Sequence, residues 1–383
     1  MNYYLNRDDM IKKIFENIKK TDIRPGIMIA SISKSSPNYY YHWTRDSSIV
    51  MKTIVKYYNN LLSKNENNEI IFKHIIDYVQ NENILQNLNT ISGIGEPKFN
   101  VDRTPFNERW GRPQNDGPAL RGLTLIKIYK ILQNDYPAIC NIIIEILEKD
   151  LEYILKNYDY PCFDLWEEIN GYHLYTRMVQ CKFLKEVKNI LVSKIIEIDT
   201  VLFKLKKLLK HHDFYYTSYD TIGNPCRTYD ISLLLGLNHI DYDLEIFDFR
   251  NSDFLNYMSE MKMYFKNRYP INKDLNFTLF GRYKNDKYYD GNPWIITTAA
   301  FYQTLLKFYD YSNNNPQLFD NTLNINIEEK QKVRYEVENF LEYISKFKNL
   351  DIDEQINQFT GKMESAKKLT WNYSELYNLL ELL

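Results

Sequence analysis

Three carboxylates stand within five residues in Asp164-Leu165-Trp166-Glu167-Glu168. Crowded acids repel one another, and the tryptophan among them lowers the local polarity. Both effects disfavour ionisation and would keep one carboxyl protonated near neutral pH. A side chain that protonates a glycosidic oxygen needs that property. An acidic helix N-terminus, where Asp and Glu meet the macrodipole favourably, produces the same pattern, and the segment by itself favours that plainer origin. Far downstream, Asp353-Glu354-Gln355 precedes Gly361 and the run Ser365–Trp371. Alone, Glu354 is an ordinary surface glutamate. It gains meaning only if the chain closes so that this end meets Trp166.

Two further segments carry polar groups suited to hydroxyl-rich ligands. In Tyr39-Tyr40-Tyr41-His42-Trp43-Thr44-Arg45-Asp46, an Arg45–Asp46 pair at a helix mouth would offer a rigid donor fork and paired acceptors to vicinal diols. An N-capping aspartate beside a surface arginine fits as well. Arg282 is a second such donor. Trp110-Gly111-Arg112-Pro113-Gln114-Asn115-Asp116-Gly117-Pro118 reads as a constrained loop closing into a helix. All five tryptophans, Trp43, Trp110, Trp166, Trp294 and Trp371, lie in or beside polar connections. An indole offers an apolar face to sugar C–H groups and an N–H to a hydroxyl, although one or two of the five are expected to be structural.

Helical spacing of apolar residues runs through Ser47–Leu62, Ile70–Val79, Ala119–Leu132, Ile142–Leu155, Phe183–Leu209, Phe254–Tyr264, Ile295–Tyr309 and Ile327–Phe347. The best period-two run is Ile27–Ile32. The expected class is all-α. The tryptophans are separated by 67, 56, 128 and 77 residues, and Asp230 falls near the step missing from the long gap. A functional connection therefore recurs about once per helix pair, which predicts one toroid of helical hairpins with its connections around one mouth. The Asn-rich stretches Ser63–Asn68 and Asn313–Asn324 read as solvated loops.

Composition narrows the partners. The 383 residues include 48 basic and 50 acidic side chains, a balance unsuited to neutralising nucleic-acid phosphates. Cys140, Cys162, Cys181 and Cys226 form no close pair, so zinc and C-x-x-C redox sites are not expected, and free thiols of a reducing compartment are. The first residues lack an apolar signal region, and no apolar run reaches the roughly 18 residues of a membrane span. The expectation is a soluble, cytoplasmic monomer, with unconventional export left open and no metal or cofactor.

The segments together resemble glycoside hydrolase family 15, the glucoamylases. The matching blocks, in family order, are Tyr39–Asp46 (YYYHWTRD), Gly95–Asp102 (GEPKFNVD), Trp110–Arg121 (WGRPQNDGPALR), Asp164–Gly171 (DLWEEING), Gly281–Trp294 (GRYKNDKYYDGNPW) and Glu354–Trp371. The resemblance implies an (α/α)6 toroid of six inner and six outer helices over residues 1–383. It also implies exo-acting release of β-glucose from α-1,4-glucans such as glycogen, dextrins and maltose, with slower attack on α-1,6 bonds. By the same resemblance Glu167 is the general acid and Glu354 the general base, with Tyr39 helping to hold the water. Inversion requires about 6.5–9.5 Å between the two carboxyls. Arg45, Asp46 and Arg282 correspond to residues gripping the terminal glucose. Trp110 packs over the acid and the next unit, Glu168 contacts that unit, Asp164 tunes the acid, and Ser365 bonds to the base. Trp43, Arg112, Trp166, Tyr288, Trp294 and Trp371 complete the expected substrate-binding set.

Departures from the pattern touch specificity. His42 replaces the commoner threonine, Arg103–Arg109 is more charged than usual, and Tyr172-His173-Leu174 stands where small serines are common. His173 fits either a ligand or a plain loop histidine. Residues 187–275 match loosely. No Ser/Thr-rich linker or starch-binding module follows Trp371, so soluble glucans are expected over granular starch. The alternatives are another α-glucosidic specificity, such as trehalose or dextran, and a silent carbohydrate-binding regulatory toroid, which would lack one of the two carboxylates.

Overall fold

Two kinds of helix alternate along the chain, and their burial patterns dictate how they pack. Residues 116–126 and 295–306 are buried on every side, as in helices surrounded by protein. The helix between them at 137–157 instead buries a stripe, Cys140, Ile143, Ile146, Leu147, Asp150, Leu151 and Ile154, and must lie outside. The computed structural model describes residues 5–66, 68–250, 252–315 and 327–383. Among these, the inner helices are α2 (Thr44–Leu62), α4 (Asp116–Leu132), α6 (Leu174–Val187), α8 (Ser232–His239), α10 (Ile295–Asn314) and α12 (Thr370–Leu380). Each packs on the next, and α12 returns to α2, closing a ring. The outer set is α1 (Arg7–Ile18), α3 (Glu69–Gln86), α5 (Pro137–Asn157), α7 (Ile195–His211), α9 (Ser252–Arg268) and α11 (Ile327–Ser345). The fold is the all-α (α/α)6 toroid.

Short strands brace the loops at the inner helices' N-terminal mouth. β1 (His42–Trp43) pairs antiparallel with β2 (Lys98–Phe99), β3 (Cys162–Phe163) with β4 (Asn170–His173), β4 with β5 (Ser218–Asp220), and β6 (Gln355–Ile356) with β7 (Met363–Glu364).

Several sequence expectations are corrected. The apolar run Phe183–Leu209 is two helices, because α6 ends at Val187 and α7 begins at Ile195 after a tight turn. Ile27–Ile32 is not a strand. Only Ile29 forms a bridge, to His42, while Ile27 and Ile29 pack with Leu85 and Phe99 in a small satellite core. The predicted set omits α1, α8, α12 and the first half of α6. In α8, Leu233–Leu235 is a continuous apolar run without a helical period. Of Asn313–Asn324, the first two residues end α10, and 316–324 lie outside the described residues.

Cys140, Cys162 and Cys181 are buried free thiols, and Cys226 is an exposed one. Among the described residues no helix is long and apolar enough to cross a membrane, and no group of three or more His, Cys, Asp or Glu is placed to hold a metal.

Candidate active site

Six parallel inner helices bring six N-terminal connections to one mouth, and the conspicuous blocks of the sequence are these connections. One turn presents Glu167. The Asp164 carboxylate accepts backbone N–H bonds from Trp166 (3.0 Å), Glu168 (2.8 Å) and Ile169 (2.7 Å). The tight loop this creates drives Glu167 into the left-handed region at φ 64°, a conformation that a non-glycine residue keeps only when its surroundings over-determine it. Gly171 follows because a Cβ there would collide with the Tyr219 carbonyl oxygen across β4–β5.

Four donors converge on the Glu167 carboxylate. Oε1 accepts from Trp43 Nε1 (2.8 Å), Gln114 Nε2 (2.9 Å) and an Arg45 guanidinium N–H (3.2 Å), and Oε2 accepts from Trp110 Nε1 (2.9 Å). Arg45 is itself fixed by Gln114 (2.8 Å) and Asp116 (3.0 Å), with Asp46 at 3.6 Å.

The crowding expected of Asp164, Glu167 and Glu168 is relieved by cations the sequence reading did not pair with them. Burial opposes ionisation of Asp164, but Arg227, His173 and backbone N–H groups outweigh it and hold the carboxyl at about 2. Arg227 bonds both Asp164 and Glu168, and Arg282 bonds Glu168 at 2.7 Å. Mutual repulsion is thus not what conditions this turn. Arg227 is nearly buried, and removing one partner of a buried pair strands the other charge. Arg227→Met is therefore expected to destabilise the fold by about 3–5 kcal/mol, checked by chemical denaturation, and to lower turnover as the Glu167 turn loosens.

Glu354 faces the same cleft from the opposite end of the chain. Its N–H donates to the Ala366 carbonyl at 2.8 Å, and the following residues form β6, which bridges to Trp294. It is buried, and burial pushes its carboxyl up to about 7 against the opposing bonds from Ser365 and Gln355 and the charge of Arg282. The Ser365 hydroxyl donates to Glu354 Oε2, with Ser365 held at φ 68°. Asp46 is likewise pushed up to about 7 by burial, with Arg45 opposing.

One cleft is lined by Tyr39, Trp43, Arg45, Asp46, Trp166, Glu167, Arg282, Trp294, Glu354 and Trp371, with Ala30, Leu165, Ile296 and Leu369 as its apolar wall. The Arg282 guanidinium lies over the rings of Tyr288, Trp294 and Trp166 at 4.9, 5.3 and 5.5 Å. Tyr39 and Tyr288 share a hydroxyl bond of 3.1 Å.

Trp110, Asp164, Glu168, Tyr288 and Ser365 stand behind these residues, reaching the cleft through the bonds above. Arg112 is a correction. Its guanidinium bonds Glu96 (2.7 Å) and the carbonyls of Glu108 and Phe106 (2.8 and 2.7 Å), so it ties the Trp110 loop together and does not line the cleft. Both histidines singled out in the sequence are structural. His42 accepts from the Met28 N–H and lies 3.0 Å from Glu82. His173 bridges Ser218 and the Cys162 carbonyl.

The sequence reading missed Gln114, Asp116 and Arg227. The first two sit inside a quoted block. Arg227 lies three residues before Asp230, the position expected from tryptophan spacing, and Asp230 does accept the Trp166 indole N–H at 3.0 Å.

The profile described as "Glycosyl hydrolases family 15" matches residues 6–380. The chain belongs to this family. It is 33% identical to "Glucoamylase-1" of Arthroderma benhamiae over 76% of this chain and 51% of that one, so it spans about half the length of that relative. It is 30% identical to the "Probable glucoamylase" of Schizosaccharomyces pombe over 94% of this chain and 85% of the relative. Among solved structures, the family 15 glucoamylase of Hypocrea jecorina superposes with a TM-score of 0.86 at 25% identity, covering 97% of this chain and 70% of that one. The glucoamylase of Saccharomycopsis fibuligera gives 0.81 at 25% identity, covering 100% and 96%.

Proposed function

We propose that this family 15 chain is an exo-acting, inverting glucosidase that releases β-glucose from the non-reducing ends of α-1,4-glucans, with Glu167 as acid and Glu354 as base. The observation that carries the reading is that two carboxylates from distant blocks line one cleft with Tyr39, Arg282 and four indoles. An α-glucosyl unit held there would receive a proton from Glu167 on its leaving oxygen. Glu354 would take a proton from water attacking the opposite face, so that the anomeric carbon inverts. The four donors around Glu167 stabilise the carboxylate left after transfer. Ionised Glu354 and Asp46 would favour the cationic, oxocarbenium-like transition state.

What stands behind the cleft supports the exo reading. Trp371 forms part of its lining, and its indole donates to buried Glu375 at 2.8 Å. Glu375 also accepts from Gln303 at 2.8 Å and lies 3.2 Å from His239, which is bonded to Tyr175. These buried side chains come from α6, α8, α10 and α12 and stand behind Trp371. A blind pocket admits a chain end and not the middle of a polymer. The Trp294 indole N–H is buried without a hydrogen-bond partner among the described residues, Arg45 Nε has only the Asp46 carboxylate at 3.6 Å, and both would serve sugar hydroxyls.

The Ser365 hydroxyl favours the charged form of Glu354, and the base works only when charged. Ser365→Ala is therefore expected to move the acidic limb of the pH–kcat/KM profile upward by about one unit. Activity on the acid side falls first, and an unmoved limb would disconnect Ser365 from the base. The reading as a whole is tested by glucose release from maltose, maltoheptaose, glycogen, isomaltose and trehalose. Fastest release from the α-1,4 substrates, with glucose as the first product, is expected. Preference for trehalose or isomaltose would move the specificity elsewhere in the fold.

A further inference from the structure

Behind the two indoles that hold Glu167 lies a cation the reaction scheme leaves unused. Lys98, on β2, is 1% exposed and sits directly across the strand pair from Trp43. Its ammonium is 3.2 Å from the Trp110 ring centroid, 4.0 Å from Phe106, 4.5 Å from Tyr41 and 4.6 Å from Trp43. Glu96, the acid nearest in sequence, is engaged by Arg112. Burying an ammonium against ring faces in place of a carboxylate costs solvation that cation–π attraction offsets only in part. Burial pushes Lys98 down to about 8, and the charge of Glu167 draws it back up.

We infer that Lys98 is a positioning residue for Glu167, acting through the Trp43 and Trp110 indoles. A cation on a π face fixes the tilt of the ring and withdraws electron density from it, which makes the N–H at its edge a stronger donor. Both N–H groups end on the Glu167 carboxylate, one on each oxygen. When Glu167 passes its proton to the glycosidic oxygen and the C–O bond breaks, the carboxylate left behind meets strengthened donors and a positive field. Lys98 thereby eases departure of leaving groups that need a proton and does little for those that do not. The other charges facing Lys98 are Glu96, Glu108 and Arg112, and those facing Glu167 are Arg45 and Asp46, with Asp116 beyond them against Arg45. All remain when Lys98 is replaced.

The inference rests on Glu167 being the acid, and the test separates the two. Lys98→Met, Lys98→Arg and Glu167→Gln are compared on maltose and on α-D-glucosyl fluoride, whose fluoride leaves with little protonation. Lys98→Met is expected to lose about ten-fold or more in kcat on maltose and less than about three-fold on the fluoride. The basic limb of its pH profile should move upward, and Lys98→Arg should recover most of the loss. Equal losses on both substrates with an unmoved limb would reduce Lys98 to packing and overturn the inference. If Lys98→Met does not fold, Lys98→Gln removes the charge and keeps a polar side chain of similar reach. Selective loss on maltose then supports the inference, and equal loss overturns it. Normal maltose turnover by Glu167→Gln would instead remove the acid assignment itself.

Discussion

Glu167→Gln is expected to lower kcat on maltose by about 10³–10⁴-fold while leaving KM within a few-fold. The substitution is nearly isosteric, and two of its consequences differ in kind. The amide oxygen can still accept from Trp43, Gln114 and Arg45, which occupy one carboxylate oxygen. The amide nitrogen would face the Trp110 N–H, donor to donor, so a modest local shift accompanies the loss of the proton. Ground-state binding by Asp46, Arg282 and the remaining indoles persists, which places the loss in kcat. Steady-state kinetics on maltose checks this, and rates within a few-fold of the parent would reject the acid assignment.

Glu354→Gln is expected to cost about 10³-fold or more in kcat, because an amide cannot take a proton from the attacking water. Its pH signature separates it from a general loss of structure. With Glu354 as the base, the parent's activity should require the ionised form of a carboxyl that burial pushes up to about 7, and turnover should decline as pH falls through that range. The variant's residual rate should no longer show that acidic limb. Fold integrity is checked by thermal melting. Replacing a buried carboxyl by an amide that can still accept from Ser365 and Gln355 should leave Tm close to the parent's.

Much of the toroid was legible in the sequence because its signals are chemical and recur at regular intervals. The tryptophan-bearing connections do lie at the N-terminal ends of inner helices, and Asp230 does occupy the step without a tryptophan, two residues before α8 begins at Ser232. What failed had identifiable physical causes. Helical periodicity marks one-sided burial, and the short α8, buried throughout Ser232–Leu237, shows none, although the longer enclosed helices α4 and α10 were read and the outer α1 was not. A continuous apolar run cannot show a turn such as the one between Val187 and Ile195. Carboxylate crowding at Asp164–Glu168 was judged from local sequence, yet its counter-ions, Arg227 and Arg282, come from segments about 60 and 115 positions away. Arg112 illustrates the converse. It sits in a block that does build the site, but its guanidinium is consumed by the loop that carries Trp110.

The proposed reaction needs two opposed carboxyls with water admitted between one of them and the sugar. Proton NMR of early maltoheptaose hydrolysis addresses this most directly, because glucose appearing there comes only from the cleaved end. β-Glucose is expected first, with the α anomer growing in only as mutarotation proceeds. α-Glucose as the initial product would mean the anomeric carbon keeps its configuration, and Glu354 could not then be the base that activates water on the far face.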